Sequence, residues 1–403
     1  MDASSLATIR AWITEAGLMG TSEIALLRGC CQWLMAAGVP VSRATALMDT
    51  LHPVHEGRVF RWRAAEGQVE EIFEYGRMAE NAEAEAGWLQ SPFNHLLETG
   101  GTVLRRNAAR GDPADFSFIA EAHAQGQTDY VAIIQRFSDA GSLGEMDCCY
   151  TSWMSEAPQG FDDADVAALE ALVPTLALAI KAASLQRIAG TLMETYLGRD
   201  AGRRVLAGRI ARGVADRVNT VLWWSDLRGF TRVSDTAPPD QIIPMLNDYA
   251  EAVISAIHET GGDVLKLIGD GTLAVFAAAE PENACRAALA AEAKARTRVA
   301  EVNANRTAAG LPVTDVYLAL HIGDVFYGNI GARERLDFTV IGPAVNMVNR
   351  IATMCRSVER PVLLSSQFVA AAGGAGGEIV SVGRYALRGF EAAEELFTVV
   401  RTA

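Results

Sequence analysis

Two apolar runs in this chain each end on an aspartate that is closely followed by glycine. The first run, 222–224, leads to Asp226, and the second, 264–268, leads to Asp270 between two glycines. A strand that stops at an acid before a glycine turn places a carboxylate at the edge of a sheet, where a hard cation or a phosphate can approach. Either aspartate alone is typical of a turn, whereas two such acids together can hold two Mg²⁺ ions.

Three separated blocks resemble the signature of the class III nucleotidyl cyclases. They read WSDLRGFT at 224–231, KLIGDG at 266–271 and FTVIGPAVNMVNR at 338–350, in the order of that family. The resemblance covers roughly residues 218 to 400 and fixes several polar residues in each block. It implies an enzyme that converts a nucleoside triphosphate into a 3′,5′-cyclic nucleotide and pyrophosphate.

The resemblance also implies the metal ligands. Asp226, Asp270 and the backbone carbonyl of Leu227 would hold two Mg²⁺ (or Mn²⁺) ions per active site. Cyclisation needs them because the ribose 3′-hydroxyl is a poor nucleophile and the triphosphate carries about four negative charges.

The third block supplies the residues expected at the ribose and the α-phosphate. Asn346 and Arg350 are four residues apart, so a helix that begins near Pro343 puts them on one face. By resemblance, Asn346 orients the ribose and Arg350 meets the charge that develops on the α-phosphate. Without the other blocks, they would be interpreted as a capping asparagine and a solvated arginine.

Base choice is expected to depend on Lys266 and Thr339. A lysine ammonium only donates hydrogen bonds, so it suits N1 of adenine and opposes the N1 hydrogen of guanine. Thr339 can accept from the adenine amino group, but a hydroxyl both donates and accepts and therefore discriminates less than a carboxylate.

Three arginines are candidate ligands of the triphosphate. Arg333 and Arg335 precede Thr339, and Arg388 lies in a late segment where relatives often place a basic residue. Each could equally be an ordinary surface arginine. His321 lies in a strand-like run and is interpreted as structural.

In the family, two chains pack head to tail and build composite sites. One chain gives the metal carboxylates and the other gives the lysine, threonine, asparagine and arginine of the same site. The resemblance therefore implies a homodimer with ATP bound at its interface.

The first 162 residues mix helical and strand-like patterns and weakly resemble a GAF-type sensor module. Trp62, Trp88, Phe93 and Trp153 could line a ligand pocket or could be ordinary core aromatics. A small-molecule or protein signal of unknown identity is expected to act on this domain. Residues 163–216 are expected to form a dimerising helix and a transducing connector, since apolar residues recur from Leu169 to Leu192. The alternative is that this stripe packs against its own N-terminal domain.

Bulk properties limit the class of protein. The chain has 403 residues, a net charge of −14 and six cysteines without a disulfide or zinc spacing. The charge argues against nucleic-acid binding, and the cysteines favour a reducing, cytoplasmic location. No membrane span is expected, because the longest apolar stretch is short and contains Pro174.

The fold expected is α+β, with a GAF-like α/β domain, a helical stalk and a catalytic domain over 217–403. In that last domain the elements follow a ferredoxin-like βαββαβ order, an antiparallel sheet with helices on one face. The function predicted is adenylate cyclase. Alternatives left open are a guanylate or broader nucleotide cyclase and a nucleotide-binding regulator that no longer turns over.

Overall fold

The computed structural model describes residues 1–64, 70–77, 81–137, 143–144, 146–374 and 378–400. The chain divides into two compact units, Met1–Leu192 and Met193–Ala403. The division therefore lies well beyond residue 162, the predicted end of the first domain, because much of the following helix belongs to the first unit.

The first unit is built on an antiparallel sheet. Within the described residues its strands are β1 (Arg43–Asp49), β2 (Gly57–Arg63), β3 (Glu70–Tyr75), β4 (Val103–Asn107), β5 (Asp129–Arg136) and β6 (Cys148–Ser155). They pair in the order β3-β2-β1-β6-β5-β4. Strand alternation in β1 buries Ala44, Ala46 and Met48 in one core and turns Thr45 and Leu47 to the opposite face.

Helices cover both faces of this sheet. They are α1 (Ala3–Leu18), α2 (Glu23–Ala36), α3 (Ala82–Leu89), α4 (Pro92–Thr99), α5 (Ser117–Ala124) and α6 (Asp163–Leu197). The main core joins α1, α2 and α6 to one sheet face, and a smaller core joins α4 and α5 to the other. Trp62 and Trp153 belong to the main core, whereas Trp88 and Phe93 pack at the second face. Trp62 and Trp153 are therefore core aromatics, whereas Trp88 and Phe93 remain candidates for lining a ligand pocket. The GAF likeness itself stays a prediction.

The long helix α6 buries the stripe that was expected to dimerise. Leu169, Leu172, Leu176, Ile180 and Ile188 lie in the core of the first unit. The alternative interpretation, packing against its own domain, accounts for this stripe.

The same helix is the one, among the described residues, that is long and apolar enough to cross a membrane by length and composition. Half of its most apolar stretch is buried inside the protein. Core helices share these properties, so they are weak support for a span.

The second unit is built on a larger sheet. Its strands, among the residues described, are β7 (Ala215–Leu227), β8 (Asp263–Ile268), β9 (Gly271–Ala277), β10 (Val316–Gly331), β11 (Leu336–Ile341), β12 (Val362–Ser365), β13 (Glu378–Tyr385) and β14 (Glu394–Val400). The order is β13-β14-β12-β10-β7-β9-β8, and β11 pairs with β10. The subset β10-β7-β9-β8 is the predicted βαββαβ core, with its first strand between the fourth and the third. The sheet is not wholly antiparallel, since β10 and β12 run parallel.

The helices of the second unit are α7 (Arg199–Leu206), α8 (Phe230–Thr236), α9 (Pro239–Glu259), α10 (Pro281–Ala308), α11 (Pro343–Val358) and α12 (Ser366–Ala372). One core joins α9, α10 and α12 to one sheet face, and another joins α7 and α11 to the other face. The two helices of the predicted βαββαβ core, α9 and α10, lie on one face as predicted, and the helices on the other face lie outside that core. Buried residues occur on both sides of the central strands, as with Leu222 and Trp223, so both faces need cover.

Candidate active site

The two aspartates lie together at one end of the sheet. Ser225 of β7 pairs with Thr272 of β9, which brings the end of β7 beside the turn between β8 and β9. Asp270 Oδ2 accepts a hydrogen bond from the backbone N–H of Leu227 at 3.2 Å. A Cβ on Gly271 would lie 3.0 Å from the Ser225 carbonyl oxygen, so this close approach favours glycine.

The Asp226 carboxyl is electrostatically unsatisfied. Its Oδ1 atom is buried and has no hydrogen-bond partner among the described residues. Burial, followed by the negative charge of Asp270, raises its pKa from 3.8 to about 6, and Arg356 acts weakly in the opposite direction. A buried acid left without a donor is destabilised when ionised, and a bound cation would compensate for this.

A cavity of ≈190 Å³ adjoins the acids and is lined by both aspartates, Leu227 and Leu267. The described residues contain no group of three or more His, Cys, Asp or Glu side chains that could hold a metal ion. Two carboxylates and a backbone carbonyl nevertheless fit hard cations, because Mg²⁺ usually keeps several water or phosphate oxygens as its other ligands.

Lys266 forms an ion pair that the sequence interpretation missed. Its Nζ atom contacts Asp337 Oδ2, and the lysine side chain is 33% exposed. Burial, followed by the charge of Arg335, lowers the pKa of Lys266. Asp337 and Thr339 are two residues apart in β11 and therefore project to the same side of the strand. The two-residue spacing between Asp337 and Thr339 was the sequence signal from which this carboxylate could have been predicted beside the threonine.

Thr339 is buried and lies opposite Gly328 of β10. Its neighbours Phe338 and Val340 point into the core shared with α11. Lys266, Asp337 and Thr339 are called the lysine cluster below, since the ion pair joins β8 to the β11 side that carries Thr339.

The helix α11 presents the two residues predicted for the ribose and the phosphate. It begins at Pro343, and Met347, Val348 and Ile351 bury its inner face. Asn346 is exposed and Arg350 half-buried. No side-chain hydrogen bond or ion pair involves either residue within the described part of the chain, so both are available to a ligand.

The candidate triphosphate arginines are exposed. Arg333 and Arg335 lie between β10 and β11, and Arg388 lies between β13 and β14. Their positions are compatible with a role at a ligand and do not select one of them. His321 is buried and its Nδ1 lies 2.8 Å from Ser365 Oγ; burial lowers its pKa to about 4, in keeping with a structural role.

The lysine cluster does not line the cavity beside the acids. Leu267 lines the cavity beside Asp226 and Asp270, whereas Lys266 and Thr339 do not. Lys266 pairs instead with Asp337 of β11. The cavity beside the acids, as the described residues line it, therefore does not include the lysine cluster.

The second unit is similar in sequence to known nucleotide cyclases. Residues 215–400 match the model of the adenylate and guanylate cyclase catalytic domain. An adenylate cyclase of Anabaena cylindrica is 32% identical over 157 residues, which are 39% of this chain and 31% of that protein. Adenylate cyclase 1 of Rhizobium meliloti (strain 1021) is 29% identical over 169 residues, 41% of this chain and 25% of that protein.

The match thus spans less than a third of the length of these curated relatives. Among solved structures, the adenylyl cyclase CyaB from P. aeruginosa is similar with a TM-score of 0.44 and 22% identity, over 47% of this chain and 97% of that chain.

Proposed function

We propose that this protein is an adenylate cyclase, from the premise that residues 215–400 match the adenylate and guanylate cyclase catalytic domain. The substrate is ATP, the products are 3′,5′-cyclic AMP and pyrophosphate, and the location is the cytoplasm. The free, buried state of all six cysteines suits a reducing compartment.

The observation that carries the proposal is the unsatisfied Asp226 carboxyl. Asp226 is half-buried beside Asp270, its Oδ1 atom is buried without a partner among the described residues, and its pKa is raised. An arrangement that destabilises the empty site is expected where a cation binds during function. Asp226, Asp270 and the Leu227 carbonyl would hold two divalent cations. When bound, these ions would lower the pKa of the ribose 3′-hydroxyl and neutralise the departing pyrophosphate.

Lys266 and Thr339 select the base in this mechanism. The ammonium of Lys266 donates to N1 of adenine, and the Thr339 hydroxyl accepts from the exocyclic amino group. The ion pair with Asp337 positions the lysine before substrate arrives, which limits the entropy lost on binding.

Asn346 and Arg350 act on the sugar and the phosphate. Asn346 hydrogen-bonds the ribose so that its 3′-oxygen faces the α-phosphorus. The Arg350 guanidinium stabilises the charge on the α-phosphate as the new P–O bond forms and the bond to the pyrophosphate oxygen breaks. The hydroxyl proton passes to solvent. Arg333 and Arg388 are proposed as contacts of the leaving phosphates.

A C2 homodimer completes the site, since the cavity beside the acids of one chain does not include that chain's lysine cluster. Helix α6 has a face suited to such a dimer that differs from its buried stripe. Leu178 and Leu185 are 67% and 38% exposed, and they are seven residues apart. We further propose that the first unit regulates the rate by altering how the two catalytic units meet.

The proposal is tested by incubating the purified protein with equimolar ATP, GTP, CTP and UTP and with Mg²⁺ or Mn²⁺. The products are then identified by mass. Cyclic AMP is expected as the main product. Cyclic GMP as the main product would favour the guanylate alternative, and nucleotide binding without any cyclic product would favour the regulator.

Guanylate cyclisation is the second candidate, because the lysine cluster contains a carboxylate. Asp337 could accept hydrogen bonds from the N1 hydrogen and the amino group of guanine. Adenine has no hydrogen on N1 and no amino group at that position, so it could not make these bonds.

Replacing Asp337 by asparagine tests this candidate. If the carboxylate serves guanine, kcat/KM for GTP relative to ATP should fall by about tenfold or more, because a buried polar contact to substrate is lost. Steady-state kinetics with both nucleotides measure the ratio. Asp324→Asn is the matched control, since Asp324 is an acid on the same sheet that pairs with Arg217 instead. An unchanged ratio would eliminate Asp337 as a guanine contact.

A further inference from the structure

The first unit contains a cavity of ≈700 Å³ that the proposed catalytic function does not use. It lies on the sheet face turned away from α1 and α2, and its volume falls within the range of about 300–1,000 Å³ usual for small-molecule sites. We call it the sheet-face cavity. The lining residues that matter here are Leu47, Val59, Arg61, Trp88, Phe93 and Tyr130.

Aromatic side chains form the wall opposite the sheet. Trp88 packs edge-on against Tyr150 with ring centroids 5.4 Å apart, and Phe93 packs against the same ring at 5.5 Å. These contacts hold both rings in place, while Trp88 remains partly exposed to the cavity. A flat, preorganised apolar wall binds an aromatic body with little loss of side-chain entropy.

The sheet side of this region carries excess positive charge. Arg43 lies directly opposite Arg63, and Arg61 lies opposite Thr45, so three arginines gather on β1 and β2. Glu71 Oε2 lies 3.2 Å from Arg61 and 3.3 Å from Arg63. Arg43 forms no ion pair within the described residues; its guanidinium lies over the Phe118 ring at 5.8 Å.

The Nε atoms of Arg43, Arg61 and Arg63 are all buried without a hydrogen-bond partner among the residues described. Arg77 also lines the cavity. Asp49, which lies on β1 with Arg43, already accepts a hydrogen bond from the Tyr75 hydroxyl at 2.6 Å. Glu71 thus pairs with only two of these three guanidinium groups, in a chain whose net charge is −14. Such a local reversal of charge attracts an anion.

We propose that the sheet-face cavity binds an aromatic carboxylate, with the ring against Trp88 and Phe93 and the carboxylate at Arg61. A guanidinium presents parallel N–H donors that match the two oxygens of a carboxylate. The apolar side chains of Leu47 and Val59 complete the sheet side of the ring site. This site lies wholly in the first unit and is independent of the catalytic assignment.

Calorimetry with the full-length protein and no nucleotide tests the site. The probes are benzoate, cinnamate, 2-naphthoate and indole-3-acetate, each paired with its neutral amide. At least one carboxylate should bind once per chain, and its amide should bind about tenfold more weakly or worse, because the charge-assisted hydrogen bonds are lost.

Three variants locate the binding. Arg61→Gln should weaken the carboxylate about tenfold, and Arg61→Lys should lie between it and the wild type. Trp88→Phe should remove the quenching of tryptophan fluorescence by the ligand while the fold is retained. Arg110→Gln is the control, since Arg110 pairs with Asp163 and does not line the cavity.

The proposal is overturned if no carboxylate binds, if acid and amide bind equally tightly, or if Arg61→Gln binds the carboxylate as tightly as the wild type. Because the readout needs no turnover, failure here leaves the cyclase assignment untouched, and an inactive catalytic unit leaves this test interpretable.

Discussion

Replacing Asp226 by asparagine should abolish nucleotide turnover and, at the same time, make the metal-free protein more stable at neutral pH. Activity should fall by about a thousandfold or more, since an amide is a poor ligand for a hard cation. Stability should rise because the substitution removes a partly buried charge whose Oδ1 atom has no donor among the described residues. A residue held only for packing would not give these opposite effects together.

The sign of the stability change follows from the raised pKa. The carboxyl has a pKa of about 6 in the folded protein and 3.8 as its ordinary value. When folding raises the pKa of a carboxyl, its ionisation destabilises the folded protein. The effect is absent below about pH 3.8, grows as the pH rises and is complete above about pH 6. The side chain is partly exposed to solvent, which reduces the effect to about 1–2 kcal/mol in the free energy of unfolding.

Chemical denaturation in EDTA measures this change. The free energy of unfolding of Asp226→Asn should exceed that of the wild type at pH 7.5 and equal it at pH 4. The control is Asp235→Asn, at an exposed aspartate that forms no ion pair with any described residue, and it should alter neither property. An Asp226→Asn protein that cyclises ATP at the wild-type rate would exclude Asp226 as a metal ligand.

Mixing two inactive variants should restore about a quarter of the wild-type activity. Asp226→Ala removes an acid and Lys266→Ala removes the base contact. If each site takes its acids from one chain and its lysine cluster from the other, a mixed dimer keeps one intact site of two. Random pairing makes about half of the dimers mixed.

The matched control mixes Asp226→Ala with Asp270→Ala. Both changes fall in the same half of the site, so every dimer of this mixture lacks an acid at each site and should stay inactive. Distinct affinity tags on the two chains show that mixed dimers have formed. Tagged mixed dimers of the first pair without activity would place the whole site within one chain.

The sequence was most informative where local patterns coincide with function. The strand expected from the apolar run 264–268 and the helix expected to begin near Pro343 occur at those positions. Glycine turns and a proline at the first helical position fix these boundaries locally. The meeting of Asp226 and Asp270 at one sheet edge followed from the same local signals.

Features that depend on tertiary packing were less accessible. The length of β10, which runs from Val316 to Gly331, depends on its pairing with β7 and β11 and is not set by a local pattern. The stripe of α6 was read correctly as apolar, but periodicity does not show which surface will cover it. The sheet-face cavity joins strands and helices far apart in sequence, so no single segment revealed it.

The most direct test of the central claim is phosphorus NMR of the wild-type protein during turnover of ATP with Mg²⁺ or Mn²⁺. The account predicts that one pyrophosphate appears for each cyclic AMP, with no ADP or free AMP. Release of ADP and orthophosphate, or an unchanged ATP spectrum with either metal, would contradict it.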